Sequence, residues 1–210
     1  MLNEALIHDL DIIAGAYAEV YSNNVKNVFF DEGLINECAS GKALFERGVQ
    51  TNSLSSVVWN KLYKKELIAE EPFLDGYYFE DMEYTIRVLL KARKIMFLNK
   101  IIINYRKREN SITTNLYSKK KAEDYLIIAN HIAQLNNGNS YISNWIAICV
   151  IKSIKISLKL KQVDRSEIIL QLLKMSHLQE ELLNSNKLKH KFFALINVKL
   201  LSYYSSVKGR

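Results

Sequence analysis

Hydrophobic positions recur with two different periods, and the change between them divides the 210-residue chain. DIIAGAYAEVYSNN, 11–24, is β-rich and roughly alternating, and it ends in an Asn-Asn turn. VKNVFF, 25–30, can pair back onto it as a hairpin. SGKALFERGV, 40–49, predicts a short helix with Ser40 as N-cap. SLSSVVWNKLYKKELIAEE, 53–71, starts extended and becomes helical near Lys64, and PFLDGYYF, 72–79, is a turn-rich loop. From Asp81 the period is helical. Met82, Ile86, Leu89 and Leu90 fall at i, i+4, i+7 and i+8, one face of an amphipathic helix ending near Arg93. KIMFLN, 94–99, and KIIINYRKR, 100–108, then read as two β segments.

After about residue 118 the pattern is helical to the end. AEDYLIIANHIAQL is one helix, closed by NNGN. SNWIAICVIKSIKISLKL is a second, although its tail, IKISLKLK, also fits a period of two and reads equally as a strand. DRSEIILQLLKM is a third, with Asp164 as N-cap. NKLKHKFFALINVKLLSYY is a fourth, its apolar face ringed by Lys187, Lys189, Lys191 and Lys199. There is no internal repeat and no low-complexity linker. The expected fold class is α+β, a small mixed sheet with flanking helices over 1–115, followed by an α-helical bundle over 116–210.

Charge sharpens that division. Residues 1–98 carry 10 Lys+Arg against 15 Asp+Glu, whereas residues 99–210 carry 19 against 7, which together give the net +7. The basic part suits a membrane surface, nucleic acid or an anionic substrate, or simply a solvated lysine-rich helical face. With 49% hydrophobic residues, one Pro and seven Gly, the chain has the makings of a packed core and is not disordered. Cys38 and Cys149 have no metal or redox spacing and are expected as buried thiols in a reducing compartment. The four histidines lack metal-ligand spacing. The N-terminal residues do not read as a secretory signal, and the longest apolar run, IAICVI, falls far short of the roughly 20 residues a spanning helix needs. A cytoplasmic protein is expected, either free or in peripheral contact with the inner membrane face.

The chemistry concentrates in GYYFEDMEY, 76–84. Glu80 and Asp81 open the predicted helix. Acids there are stabilised by unpaired backbone N–H groups and the helix dipole, which is a purely structural reading. An ionised Asp beside a pocket also takes a proton from a hydroxyl nucleophile. The aromatic run Tyr77-Tyr78-Phe79 is expected to line such a pocket.

Three motifs stand in register around these acids: Trp59-Asn60-Lys61-Leu62-Tyr63, Glu80-Asp81, and Tyr105-Arg106-x-Arg108 followed by Asn110 and Ser111-Ile112-Thr113. Together they resemble the C-terminal half of the catalytic domain of bacterial family 2 glycosyltransferases. Those enzymes have a GT-A fold and transfer sugars from nucleotide-sugars to polysaccharide or lipid-linked acceptors. The resemblance covers residues 5–115. It implies that Asp81 is the base that deprotonates the acceptor hydroxyl and that Glu80 orients it or binds acceptor hydroxyls. Arg106 and Arg108 are implied to pair with the donor diphosphate, since guanidinium meets phosphate oxygens bidentately, or else to be solvated. Trp59 is a stacking wall for a sugar or a core aromatic. Asn60, Lys61 and Ser111 are expected to bind substrate.

The family's nucleotide-binding half, with its phosphate loop and Asp-x-Asp metal motif, has no counterpart in these residues. Asp9-Leu10-Asp11 reads as a turn between helix and strand, and there is no glycine-rich phosphate cradle. No cofactor is expected in this chain, a divalent Mg or Mn belonging only to a full-length family member. The expected partners are a nucleotide-sugar and a glycan acceptor, once a donor-binding half is supplied from elsewhere. An exposed sheet edge favours a homo-oligomer or partner chain. The alternative is a non-catalytic binding module whose basic helices act on a membrane, a partner protein or, less favoured, nucleic acid.

Overall fold

A computed structural model of the chain describes residues 1–21, 24–29, 37–107, 117–191 and 194. The chain divides into two compact units, Met1–Asp75 with Glu80–Thr114, and Gly76–Phe79 with Asn115–Arg210.

The first unit contains helix α1 (Leu2–Ile7), strands β1 (Ile12–Tyr21), β2 (Asn24–Phe29) and β3 (Cys38–Ala39), and helix α2 (Gly41–Thr51). Strand β4 (Lys61–Tyr63), helices α3 (Lys65–Ile68) and α4 (Glu80–Lys91), and strand β5 (Ile95–Arg106) follow. The five strands form one mixed sheet in the order β2-β1-β5-β3, with β4 paired to β1. The β1–β2 hairpin is antiparallel and β1–β5 is parallel. The result is an α+β fold with a curled mixed sheet and flanking helices.

β1 is buried on both faces where it begins, because both faces are covered there. Ile13 packs with Leu10 and Met96 under α1, while Ile12, Ala14, Ile95 and Phe97 face the side of α2 and α4. Full burial of each such aliphatic side chain stabilises by about 1.5–3 kcal/mol. α2 is capped by Ser40, whose Oγ accepts from Ala43 N at 3.2 Å, and it turns Leu44, Phe45 and Val49 inward. Gly41 lets α2 approach α4: a Cβ there would sit 1.8 Å from the Leu89 carbonyl oxygen. Arg87 pins α4 to the preceding segment, bonding Glu83, the Pro72 carbonyl and Glu71, which also takes Lys91.

The segments 94–99 and 100–108 differ from expectation. They form a single strand, β5, whose register against β1 slips between Gly15 and Tyr17. The slip supplies the irregularity that made one strand look like two. Cys38 is exposed, not buried, whereas Cys149 is buried.

The second unit is built from α5 (Lys119–Gln134), α6 (Ser140–Ser157), α7 (Gln162–Lys174) and α8 (Ser176–Asn184). Ser118 and Asn139 cap α5 and α6. The tail of the second predicted helix is helical through Ser157, because Ile154 and Ile156 are both buried in the bundle, which no strand partner offers. Asp164 is not the cap of α7: the cap position is Lys161, and Asp164 lies in the first turn. Helix α8 was not anticipated. Its Leu178 and Leu182 are buried at i and i+4, a signal hidden among the polar residues of HLQEELLN. The fourth predicted helix falls largely outside the described residues. Among the described residues no helix is long and apolar enough to cross a membrane.

Tyr78 and Phe79 belong to this helical unit. The Tyr78 N–H donates to Asp124 Oδ2 at 2.8 Å, and the Phe79 ring stacks on Tyr125 with centroids 3.9 Å apart. These contacts tie both rings to α5.

Candidate functional site

Asp81 lies in the first turn of α4, directly after Phe79, whose φ of 66° puts it in the left-handed region. No helix-capping side chain precedes the acids. The Asp81 carboxylate bonds the Met82 N–H, and Ser56 Oγ donates to its Oδ2 over a long 3.4 Å. Burial pushes the Asp81 carboxyl above its ordinary value and the charge of Glu80 pushes further, against the pull of Ser56, the Met82 N–H and Lys61. Glu80 and Asp81 are both half-buried.

The segment 53–60 forms the wall that holds Asp81. Thr85 Oγ1, one turn along α4, donates to the Ser56 carbonyl at 2.6 Å and fixes that wall to the helix. Lys61 Nζ donates to the carbonyls of Ser55, at 3.3 Å, and Val57, and to Asn60 Oδ1 at 2.9 Å. Burial drives the Lys61 ammonium down to about 7, and the Asp81 carboxylate works against that fall. Asn60 is fully buried: its Nδ2 donates to the Gly15 carbonyl at 2.8 Å, and its carbonyl accepts from Gly15 N at 3.0 Å. Asn60 thus ties the Trp59–Tyr63 segment to β1 and aims Lys61 at the wall.

Residues of this segment, with Lys61, also line a cavity of about 420 Å³. Its floor includes Ile12, Ala14 and Leu89, and its polar rim includes Ser55, Ser56 and Lys61. Asp81 is not among the residues that line the cavity, but Ser56, which touches it, and Lys61, which pulls on its charge, both are.

Trp59, 38% exposed, belongs to an aromatic row. One face stacks on Tyr105 at 5.4 Å and 11°, and Tyr17 meets it edge-on at 4.8 Å. Tyr17 in turn stacks on Phe29. Lys107 lies over the Tyr105 ring and pairs with Glu19 at 2.8 Å. Arg106 is exposed at the end of β5 and, among the described residues, makes no ion pair. Arg108 and Ser111 lie outside the described residues, as do Asn110, Ile112 and Thr113.

The structure therefore gathers Asn60, Lys61 and Asp81 into one linked set, with Trp59 on the neighbouring aromatic row. Sequence reasoning missed Ser56, Thr85 and the Tyr63 hydroxyl. That hydroxyl is buried without a hydrogen-bond partner among the described residues, and burial, Tyr84 and the charge of Asp81 raise its pKa. The signal for Ser56 was present in the hydroxyl-rich run Ser53-Leu54-Ser55-Ser56, which puts small donors just before the buried lysine. Asp9-Leu10-Asp11 forms the expected turn: Asp9 has φ 47° and pairs with Lys64, and Asp11 accepts from Arg93 N.

The curled mixed sheet with helices on its faces is consistent with a partial GT-A-like fold. Among solved structures, the chain is similar to the crystal structure of S. aureus TarS 1–349 in complex with UDP-GlcNAc, with a TM-score of 0.54 and 19% identity. The match covers 87% of this chain and 53% of that one, so the chain spans about half the length of its structural neighbour. No protein-family model matches the chain. No curated protein sequence matches it either.

Proposed function

We propose that this chain is the acceptor-side part of a glycosyltransferase of the family 2 type, with a nucleotide-sugar as donor and a glycan as acceptor. The observation that carries the reading is the state of Asp81, a half-buried carboxylate short of donors that Ser56 contacts and the Lys61 charge acts on, both of those residues lining a cavity. The fold's likeness to a transferase crystallised with UDP-GlcNAc supports the donor class.

In this mechanism Asp81 accepts the proton of the acceptor hydroxyl as that oxygen attacks the anomeric carbon. The new glycosidic C–O bond forms while the bond to the nucleoside diphosphate breaks, and the diphosphate leaves with the electron pair. A carboxylate whose pKa is raised by burial is a stronger base than a solvated one. Lys61 keeps it from being neutralised outright, Ser56 aims one oxygen, and Glu80 raises its proton affinity. Arg106 and Arg108 meet the departing diphosphate, and Trp59 and Ser111 flank the sugar. Asn60 acts through Gly15 and Lys61, as a positioning residue. Among the described residues, no set fits the divalent metal that the family resemblance implies. Asp9 and Asp11 are spent on Lys64 and on Arg93, and no three His, Cys, Asp or Glu side chains converge among the described residues. No step is routed through a metal.

The test is transfer of labelled sugar from UDP-GlcNAc to a pool of glycan acceptors by the full chain and by Asp81→Asn. General-base loss lowers transfer about 10²–10⁴-fold. Equal transfer by the two proteins rejects Asp81 as the base. Transfer no faster than the protein-free control rejects the chain as a transferase by itself.

A further inference from the structure

The turn between α6 and α7 brings exposed apolar side chains and lysines together. Leu158 is 54% and Val163 69% exposed. Lys155, Lys159 and Lys161 are exposed around them and, among the described residues, make no ion pair. Lys152, Lys155, Leu158 and Lys159 recur at i, i+3, i+6 and i+7, so they share one arc of α6 and its cap. The acids of the neighbourhood are engaged elsewhere or set back. Glu167 pairs with Lys119, and Asp164 is half-buried on α7.

The turn is also fixed. The Arg165 guanidinium donates to the carbonyls of Leu158 at 3.2 Å and Leu160 at 3.1 Å, so a cation closes the C-terminus of α6. Backbone bonds from Lys159 N to Ile156 and from Leu160 N to Ser157 tighten it further. Its two apolar side chains are thus held outward by the backbone.

Single exposed apolar residues are ordinary. A rigid apolar tip set inside a ring of uncompensated lysines is a different pattern, and it matches one partner. We propose that the α6–α7 turn docks this chain on an anionic lipid bilayer, with Leu158 and Val163 entering the interface and Lys155, Lys159 and Lys161 meeting lipid phosphates. A second copy of the chain is a poor occupant, because like charges would face each other. Nucleic acid is a poor occupant too, since the centre of the patch is apolar where a phosphate backbone needs donors.

The experiment is co-sedimentation of the full chain with vesicles of phosphatidylcholine alone or with about one-third phosphatidylglycerol, at low and high salt. The expected result is binding to the anionic vesicles only, weakened by salt. Leu158→Ser/Val163→Ser and Lys155→Glu/Lys159→Glu/Lys161→Glu should each lower the bound fraction about tenfold or more. Lys174→Glu, an exposed lysine at the far end of α7, should change it less than twofold. Helical circular dichroism verifies that each variant is folded, and the serine and glutamate variants are independent routes should one not fold. No binding to anionic vesicles at low salt overturns the proposal. So does binding that the serine pair leaves intact, which would move the docking surface to other lysines. Competition by an oligonucleotide that ignores the serine pair would also overturn it, in favour of nucleic acid.

Discussion

Asp11, in the turn between α1 and β1, and Asp81, in the first turn of α4, are both withdrawn from water within the same sheet unit. Their surroundings differ in the number of donors. Burial pushes the Asp11 carboxyl up, but the N–H groups of Arg93 at 2.7 Å and Lys94 at 3.4 Å and the Arg93 guanidinium outweigh it and hold its pKa below 3.8. Asp81 has one backbone donor and one long hydroxyl contact, and burial wins. A carboxylate saturated with donors is a fastener, because its charged form is the stable one and nothing is left for chemistry. A carboxylate kept short of donors costs stability, which is what makes Asp81 the acid proposed for proton transfer.

The largest effect that would break this contrast lies in stability. Asp11→Ala removes the acceptor of the Arg93 and Lys94 N–H groups and should cost about 1–3 kcal/mol. Asp81→Asn should raise stability slightly at neutral pH, by less than about 1 kcal/mol. Urea unfolding read at Trp59, in a Trp145→Phe background so that only the sheet unit reports, measures both. Equal losses would make Asp81 a fastener like Asp11. Next in size is Asn60→Ala, which orphans the Gly15 carbonyl and one Lys61 donor, for about 2 kcal/mol in the same assay. A loss near zero would remove Asn60 from its positioning role.

The pH dependence has opposite signs at the two acids. Asp11 has a lowered folded pKa, so its stabilisation is present above 3.8 and is lost as pH falls through the lower folded value. Asp81 has a raised folded pKa, so the folded state holds its proton more tightly than the unfolded chain does. Its penalty appears as pH rises from 3.8 through the folded value and stays above it. Asp81→Asn should therefore gain on the wild type above that window and converge with it below 3.8. A constant offset across pH would mean that Asp81 is not perturbed.

These two acids also explain what the sequence could and could not disclose. Period two over 12–21 and helical spacing from Met82 to Leu89 are local patterns, so β1, β2, α2 and α4 were readable. The motif order was readable for the same reason, since Trp59–Tyr63 and Glu80–Asp81 are contiguous strings. Asp11 looked like half of an Asp-x-Asp pair, and only the return of Arg93 and Lys94, 82 and 83 residues on, makes it a fastener. Ser56, Thr85 and the cavity depend on β1 and α4 meeting the 53–60 segment, and spacing along the chain encodes none of those approaches. α8 was lost because two buried leucines in nine residues carry too weak a period to stand out among polar neighbours.

The smallest effect is the most specific. If Lys61 tempers the base, Lys61→Met should move the Asp81 titration to higher pH, because the ammonium favours the ionised carboxylate and the Met thioether does not. The Asp11 titration should stay in place, since none of its partners is touched. Carboxyl ¹³C shifts followed against pH read both groups in one sample. Lys61→Met also loosens the wall at Ser55 and Val57, and Ser56→Ala controls for this by removing the Asp81 contact while leaving the ammonium. A shift for both variants makes Ser56 and Lys61 joint regulators of the base, and a shift for Ser56→Ala alone removes Lys61 from that role. A second readout belongs to Lys61 itself. With a folded value of about 7 against 10.5, the unfolded chain binds the extra proton between those limits, so wild-type stability should rise with pH there. The Met variant lacks that limb. A wild type that is flat from pH 7 to 10 would mean that the three oxygens around Nζ hold its proton as firmly as water does, and that the ammonium beside Asp81 is permanent.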